Sequence, residues 1–360
     1  MDKQSVLIVG GHGVVGRQIG EILHARYPDL TIVLGGRTPG KAAPFGNGKI
    51  HTAVVDNNSE DPLMCIDNKP ALIVNAVNDL QDRLLLSAVR RSIPLIDITR
   101  WTSLFRQSVD KLNSMELRAP VVMASGWMAG TAALFAKLYA QPLHQVEADL
   151  YALYSLKDKA GPDSTAYMDR MTIPFPVMEP AGRRLVYPMS DPVRVQFPNG
   201  YATRCYRLDT PDHETLIRTE AIASASFRIA FDSKAATQSI VMLIKSGIWK
   251  MISGERFRGL RRGILYNPGT GSAHHIRIVL KGLDAEGNRA ERNVSITDPL
   301  GQTHLTALGA AVQAEKLLRL PKERPLAPGI YYPEDLPDER MDHAAITGFY
   351  EKHGVKISWE

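Results

Sequence analysis

A chain of 360 residues, 44% of them hydrophobic and 22% charged, has the composition of an ordinary globular protein and enough length for two domains with separate cores. Its formal net charge of +5 is small for that length and no long block of like charge occurs, which argues against a nucleic-acid binder; only the arginine cluster at 256–262 leaves nucleic-acid or acidic-ligand binding open beside a solvated face. Two cysteines, Cys65 and Cys205, are too few for a disulfide framework and fit a reducing cytoplasm.

Asp2 and Lys3 lead directly into an apolar run, which predicts no signal peptide. Val6 to Val9 is aliphatic and β-branched, too short for a helix and bounded by Gly10, so it reads as a strand buried on both faces. Gly11-His12-Gly13-Val14-Val15-Gly16 follows with the spacing G-x-G-x-x-G, and Val14, Val15, Ile19, Ile22 and Leu23 then recur at helical spacing. Strand, glycine turn and helix together supply the context that a dinucleotide-binding fingerprint needs. Gly11 would permit the tight turn, Gly13 the approach of a pyrophosphate and Gly16 close packing of helix on strand, while the helix start offers free N–H groups to the anion. An NAD-preferring chain ends its second strand in an acidic residue. Here Thr31 to Leu34 runs instead into Gly35-Gly36-Arg37, with Lys41 behind, and this cationic end predicts NADP(H).

His51 to Val55 reads as a third strand closing on Asp56, a residue placed either beside an adenine or as a helix cap. Ala71 to Val77 is the fourth, with Asn75, Ala76 and Val77 opening a loop on the pyrophosphate and ribose side. Leu84 to Val89 reads as a helix, Pro94 to Thr99 as a fifth strand and Pro120 to Ala124 as a sixth that enters Ser125-Gly126-Trp127 and a helix from Thr131 to Tyr139. Strands alternating with helices predict an α/β fold, a doubly wound parallel sheet of Rossmann type. Ligands of such sheets bind at the carboxyl ends of the strands, so Asn75, Asp97, Ser125, Gly126 and Trp127 share one rim.

From Gln145 the pattern changes to the alternation of half-buried strands, first at Val146 to Tyr154, then near Leu185 to Tyr187, Arg204 to Leu208, Ser224 to Phe231 and His275 to Leu280. A long helix is expected near Ala235 to Ile252; its Lys245 and Lys250, and its length, argue for a buried amphipathic helix over a membrane span. This second domain should be α+β with an open mixed or antiparallel sheet. Residues 298–318 turn helical again, rich in Ala, Gly and Thr, and should return to the first domain. Expected boundaries are 1–130 with the returning helix 300–320, 131–299 for substrate binding and dimerisation, and 321–360 as a proline- and aromatic-rich arm ending in a short helix near Ala344 to Lys352.

These residues resemble the saccharopine dehydrogenase-like NADP-binding oxidoreductases. The resemblance is carried by VLIVGGHGVVGRQIG, VLGGRTPGKA, LIVNAVND, PLIDITRW and VVMASGWMAG across the first domain, and more loosely by DPLGQTHLTALGAAVQAEKLL. It implies a cytoplasmic, dimeric, NADPH-dependent reductase of an imine formed from an amine and a keto acid or aldehyde; other relatives are enoyl reductases on carrier-bound lipids. By motif, Gly11, Gly13, Val14, Val15 and Gly16 match the family's pyrophosphate loop, Arg37 its 2′-phosphate contact, Asp56 its adenine-side residue, and Asn75, Ala76 and Val77 its ribose-side loop. His12, Gly36, Lys41, Ser125, Gly126 and Trp127 complete the expected cofactor set.

Hydride transfer is the cofactor's chemistry, and the protein must add a proton donor near the substrate nitrogen. Asp163 with Tyr167 one turn later is the preferred pair, because they follow a strand of the second domain. Asp97, beside Arg100, and His304 at the start of the returning helix are further candidates, with His213 in a loop. Each has a plain alternative as a helix cap or a core residue. No His or Cys spacing suggests a metal site. Arg256, Arg258, Arg261 and Arg262 form the nearest thing to a basic patch, read as a solvated face or as a surface for an acidic carrier protein. Two other functions stay open: an enoyl or imine reductase acting on a carrier-bound intermediate, and a non-catalytic NADP-binding scaffold.

Overall fold

The computed structural model describes residues 4–38, 45, 48–158, 170–179, 181–257, 259, 269–318, 320, 326–336 and 343–360. The chain divides into two compact units, Met1–Thr131 with Thr303–Asp338 and Ala132–Gln302 with Glu339–Glu360.

The first unit is built on a parallel sheet of β1 (Ser5–Val9), β2 (Thr31–Gly36), β3 (Ile50–Val54), β4 (Leu72–Asn75), β5 (Leu95–Arg100), β6 (Pro120–Ser125) and β15 (Gly329–Tyr331). Their order is β15-β6-β5-β4-β1-β2-β3. The apolar runs that predicted these strands are buried from both sides: Val6, Ile8, Ile32, Leu34, Leu72 and Val74 are all enclosed. β1 pairs with β2 from Ser5↔Thr31 to Val9↔Gly35 and with β4 from Val6↔Leu72 to Val9↔Asn75, so the winding reverses across β1. That reversal opens a crevice at the carboxyl ends of β1 and β4, where such sheets bind ligands.

Helices α1 (Val14–Arg26), α2 (Arg83–Arg90) and α3 (Thr102–Asn113) belong to this unit. Leu84, Leu85 and Ala88 of α2 and Phe105 and Leu112 of α3 pack with Leu7, Ile73, Leu95 and Val121 of the sheet. The sequence did not announce α3, whose buried Leu104, Ser108 and Leu112 nevertheless recur every fourth residue. Of the later chain, Thr303 to Leu318 lies in the first unit: Arg26 pairs with Glu315, and Gln313 donates to the Ala129 carbonyl at 2.7 Å.

The second unit carries a sheet in the order β10-β11-β12-β7-β13-β14-β16, with β8 beside β12 and β9 beside β8. Its strands are β7 (His144–Tyr154), β8 (Phe175–Glu179), β9 (Gly182–Val186), β10 (Val193–Gln196), β11 (Ala202–Arg207), β12 (Ile222–Phe231), β13 (His274–Leu283), β14 (Arg289–Asp298) and β16 (Lys356–Trp359). The sheet is mixed: β7 and β12 run parallel from Val146↔Ile222 to Tyr154↔Phe231, while the other strand pairs among the described residues are antiparallel. Helices α4 (Thr131–Ala140) and α5 (Asp212–Thr215) flank it in the chain.

The long buried helix expected at Ala235 to Ile252 is two helices, α6 (Lys234–Lys245) and α7 (Ile248–Met251), parted by Gly247 at φ +78°. It is also one-sided, with Ile240, Val241 and Trp249 buried but Met242, Ile248 and Met251 exposed. Residues 298–318 likewise divide: β14 runs through Asp298 and the helix, α8 (Gln302–Leu318), begins only at Gln302. The tail read as an arm supplies a strand to each sheet: Gly329–Tyr331 pairs with β6, and Lys356–Trp359, after helix α9 (His343–Lys352), pairs with β14. Among the described residues no helix is long and apolar enough to cross a membrane.

Candidate nucleotide-binding site

The glycine turn joins β1 to α1 at the crevice. Its positive backbone angle falls on Gly10, at φ +85°, one residue earlier than the sequence reading placed the tight turn. Gly11 is needed for a different reason: a Cβ there would stand 2.9 Å from both the Ile8 oxygen and Leu34 Cα. Gly16 presses on the turn itself, since its Cβ would fall 2.2 Å from the Gly10 oxygen. Gly13 is exposed and caps α1 with no side-chain hydrogen bond, and the first turn of α1 holds no acidic residue. The leading N–H groups and the positive end of the helix dipole are therefore left for an anion. Val14, 40% exposed, and the half-buried Val15 give this rim an apolar edge.

The end of β2 lies against the turn. Gly10 and Gly11 both donate to the Gly35 carbonyl, at 2.9 and 3.2 Å. The His12 ring stands over Gly36, with Cδ2 3.3 Å from where a Cβ would be, and Arg37 is exposed beyond it. Lys41 lies outside the described residues. Asp56 takes the Asn58 N–H at 3.0 Å and the Asn58 amide at 3.2 Å, so it closes a turn after β3 and no helix follows for it to cap.

At the end of β4 the Asn75 side chain turns inward and is fully enclosed, leaving half-buried Ala76, Val77 and Asn78 on the rim. Val77 packs on Gly10, where a Cβ would meet its Cγ1 at 2.6 Å, and the Ala76 N–H donates to the Val9 carbonyl at 2.9 Å. Trp127 is buried, and Gly126 N–H donates to the Arg100 carbonyl at 2.9 Å, which holds the loop after β6 to β5. Of Ser125 only the backbone is described; it pairs with Arg100.

Asp97 is not open to a ligand. Its side chain has almost no exposed surface and is ringed by donors: Asn75 Nδ2 at 3.0 Å, Thr99 N and Oγ1 at 3.0 and 2.7 Å, and Arg100 Nε at 2.9 Å. A carboxylate so saturated has no lone pair left for a substrate proton. Sequence reading missed its neighbours. Asp79 caps α2 by accepting from Arg83 N at 2.9 Å and Leu85 N at 3.0 Å, and Asp82 pairs with Arg100 and Lys111. The run Asp79-Leu80-Gln81-Asp82 just before the apolar stretch of α2 was the available capping signal. Burial, with Asp97 and Asp82 nearby, pushes Asp79 up to about 6.

His304 is buried on α8 and His213 is in the second unit's core, stacked on Phe175 with Nε2 2.9 Å from the Leu208 carbonyl; burial lowers the pKa of His213. Asp163 and Tyr167 lie outside the described residues, as do Arg258, Arg261 and Arg262 of the arginine cluster.

No protein-family model and no curated protein matches the sequence. Solved structures are similar to it in fold. Apo saccharopine dehydrogenase (L-Glu forming) from Saccharomyces cerevisiae superposes with a TM-score of 0.68 over 99% of this chain and 99% of its own, at 12% identity. The fold is that of saccharopine dehydrogenase. Amine dehydrogenase from Mycobacterium smegmatis is also similar, with a TM-score of 0.49 over 94% of this chain and 97% of its own, at 13% identity. The expected α/β fold, a doubly wound parallel sheet with a second mixed sheet, is thus the fold found.

Proposed function

We propose that this chain is an NADPH-dependent oxidoreductase that reduces a C=N bond formed between an amine and a keto acid or aldehyde. The observation that carries the cofactor is the uncapped start of α1, cushioned by Gly13, beside a β2 end that has Gly35, Gly36 and an exposed Arg37 where an acidic residue would favour NAD. Arg37 can take a 2′-phosphate through two parallel N–H donors. Ala76 and Val77 offer backbone to the ribose side, and Gly126 and Trp127 continue the same rim. The imine as substrate is carried over from the family resemblance by analogy, and the fold is compatible with it.

When bound, the nicotinamide would supply the hydride; the residues must fix it, exclude water and deliver a proton to the nitrogen. Asp163 and Tyr167 are the proposed proton-delivering pair, with His304 as a second candidate. Asp97 acts instead by holding its neighbours. A cytoplasmic homodimer acting on small molecules completes the reading.

Calorimetric titration of the wild type and Arg37→Ala with NADPH and NADH tests it. Loss of a charged hydrogen-bonding partner should weaken NADPH about tenfold or more and leave NADH unchanged. Consumption of NADPH absorbance with amine and carbonyl pairs then identifies the substrate. No binding of either nucleotide would overturn the proposal.

A further inference from the structure

The loop that follows β4 is held from beneath. Asn75, at its start, donates to Asp97 Oδ2 at 3.0 Å and accepts from Val77 N at 3.4 Å. Asp79, at its end, is gripped through its carbonyl by Arg100 Nη1 at 3.2 Å. Arg100 also holds Asp97, with Nε and Nη2 at 2.9 and 2.7 Å from Oδ2, and reaches Ser108 at 2.8 Å and Asp82. Asn57, on the turn after β3, shares its amide among the Asn75 side chain at 3.3 Å and the Val77 and Asn78 carbonyls at 3.5 and 3.4 Å.

Asn75, Asp79, Asp82, Asp97, Arg100 and Ser108 are all within 1% of full burial. Three carboxylates around one guanidinium, with Lys111 reaching Asp82 from the surface, are a costly arrangement inside a core. Apolar residues would stabilise the sheet as well, so stability alone gives no reason for ions here. What the ions do that apolar packing does not is fix backbone directionally: the Asp79 end of the 75–79 loop is bonded to the Arg100 guanidinium, and the Asn75 end is tied to the same guanidinium through Asp97. Between those ties stand Ala76, Val77 and Asn78, half-buried on the crevice rim.

We propose that the buried chain Asn57, Asn75, Asp97 and Arg100 is a positioning network that sets this loop for the nicotinamide half of the dinucleotide, and so governs affinity for that half alone. The inference rests on the nucleotide reading above. None of its members touches the ligand through its side chain; each acts through the loop backbone. The glycine turn and the β2 end, on which the adenosine half would rest, lend no side chain to the network; Val77 touches Gly10, and Asn57 follows Asp56 but gives its amide to Asn75, Val77 and Asn78.

The test compares two probes on two variants by calorimetry: intact NADPH, and 2′,5′-ADP, which lacks the nicotinamide half. Asp97→Asn keeps shape but gives up the charge that Arg100 and Asn75 hold, and should weaken NADPH about tenfold while 2′,5′-ADP stays within about twofold. Asn57→Ala, at the solvent-near end of the network, is the milder variant should Asp97→Asn not fold. It should weaken NADPH about threefold with no change toward 2′,5′-ADP. Thermal melting alongside shows whether affinity moves without the fold. Equal losses for both probes, or no loss for either, would overturn the inference while leaving the nucleotide reading intact. A wild type that binds neither probe would overturn both.

Discussion

Gly16 rests on the carbonyl of Gly10 so closely that a Cβ on Gly16 would lie 2.2 Å from its oxygen and 2.7 Å from its carbon. Both contacts are to backbone, which cannot rotate away. Gly16→Ala must therefore prise α1 from β1, at about 1–3 kcal/mol of overpacking. Gly13→Ala meets the Gly10 oxygen at a gentler 3.1 Å, on the exposed side where a pyrophosphate would approach. Chemical denaturation should show the larger loss for Gly16→Ala, whereas titration with NADPH should show lost binding in both. Equal stabilities would refute the packing argument.

Asp79 supplies a pH-dependent signature. Its ordinary carboxyl value is 3.8 and its buried value about 6, so between those pH values the native state holds a proton that the unfolded state has released. Its contribution to stability is thus fully present below about pH 4 and is lost as pH rises through about 6, a swing of order 1–3 kcal/mol. Urea unfolding of wild type and Asp79→Asn across pH 4 to 7 measures this. The wild type should lose ground to the variant as pH rises; a constant difference would mean that Asp79 does not titrate there.

His274 has the opposite sign. Its ring is fully buried against Tyr154 at 5.0 Å between centroids, Nδ1 stands 3.7 Å from Asp158 Oδ2, neither ring nitrogen has a hydrogen-bond partner among the described residues, and burial brings it down to about 3 from 6.5. The unfolded chain then takes up the proton first, so stability falls as pH drops from about 6.5 to about 3, by roughly 3–5 kcal/mol. His274→Leu removes two unsatisfied polar atoms and this acid sensitivity together. An unchanged acid-unfolding midpoint in the variant would contradict it.

Gly247, between α6 and α7, adopts φ +78°, and no described residue lies within 4 Å of where a Cβ would go. Strain alone therefore sets the cost of Gly247→Ala, about 1 kcal/mol. Differential scanning calorimetry should register that small loss, and NADPH affinity should be untouched because the substitution alters neither the glycine turn nor the β2 end. A loss of several kcal/mol would show a contact that open space does not supply.

The first unit was legible because parallel strands buried on both faces are written as plain apolar runs, and because the glycine spacing is a local steric demand. The second was less so. Arg204 to Leu208 and Leu185 to Tyr187 were visible, but Arg289–Asp298, which alternates charged and short polar residues on one face, hides its buried Val294 and Ile296 in a polar composition. Nor does anything local tell that β7 pairs parallel with β12, since register and direction depend on partners far along the chain.

By itself the sequence determined what each short stretch must do: the β1 run to be enclosed, Gly10 to Gly16 to turn and pack, the β2 end to present Arg37 and no carboxylate. Those properties depend on neighbours within a few residues, where spacing and side-chain size are enough. Only the tertiary structure decided that Asp97 is a buried anchor and not a proton donor. Its fate was set by Asn75 and by Arg100, which Asp82 holds in turn, side chains that come together only when β4, β5 and the start of α2 are side by side, and long-range burial is what turns a carboxylate from a reactive group into a fixed one.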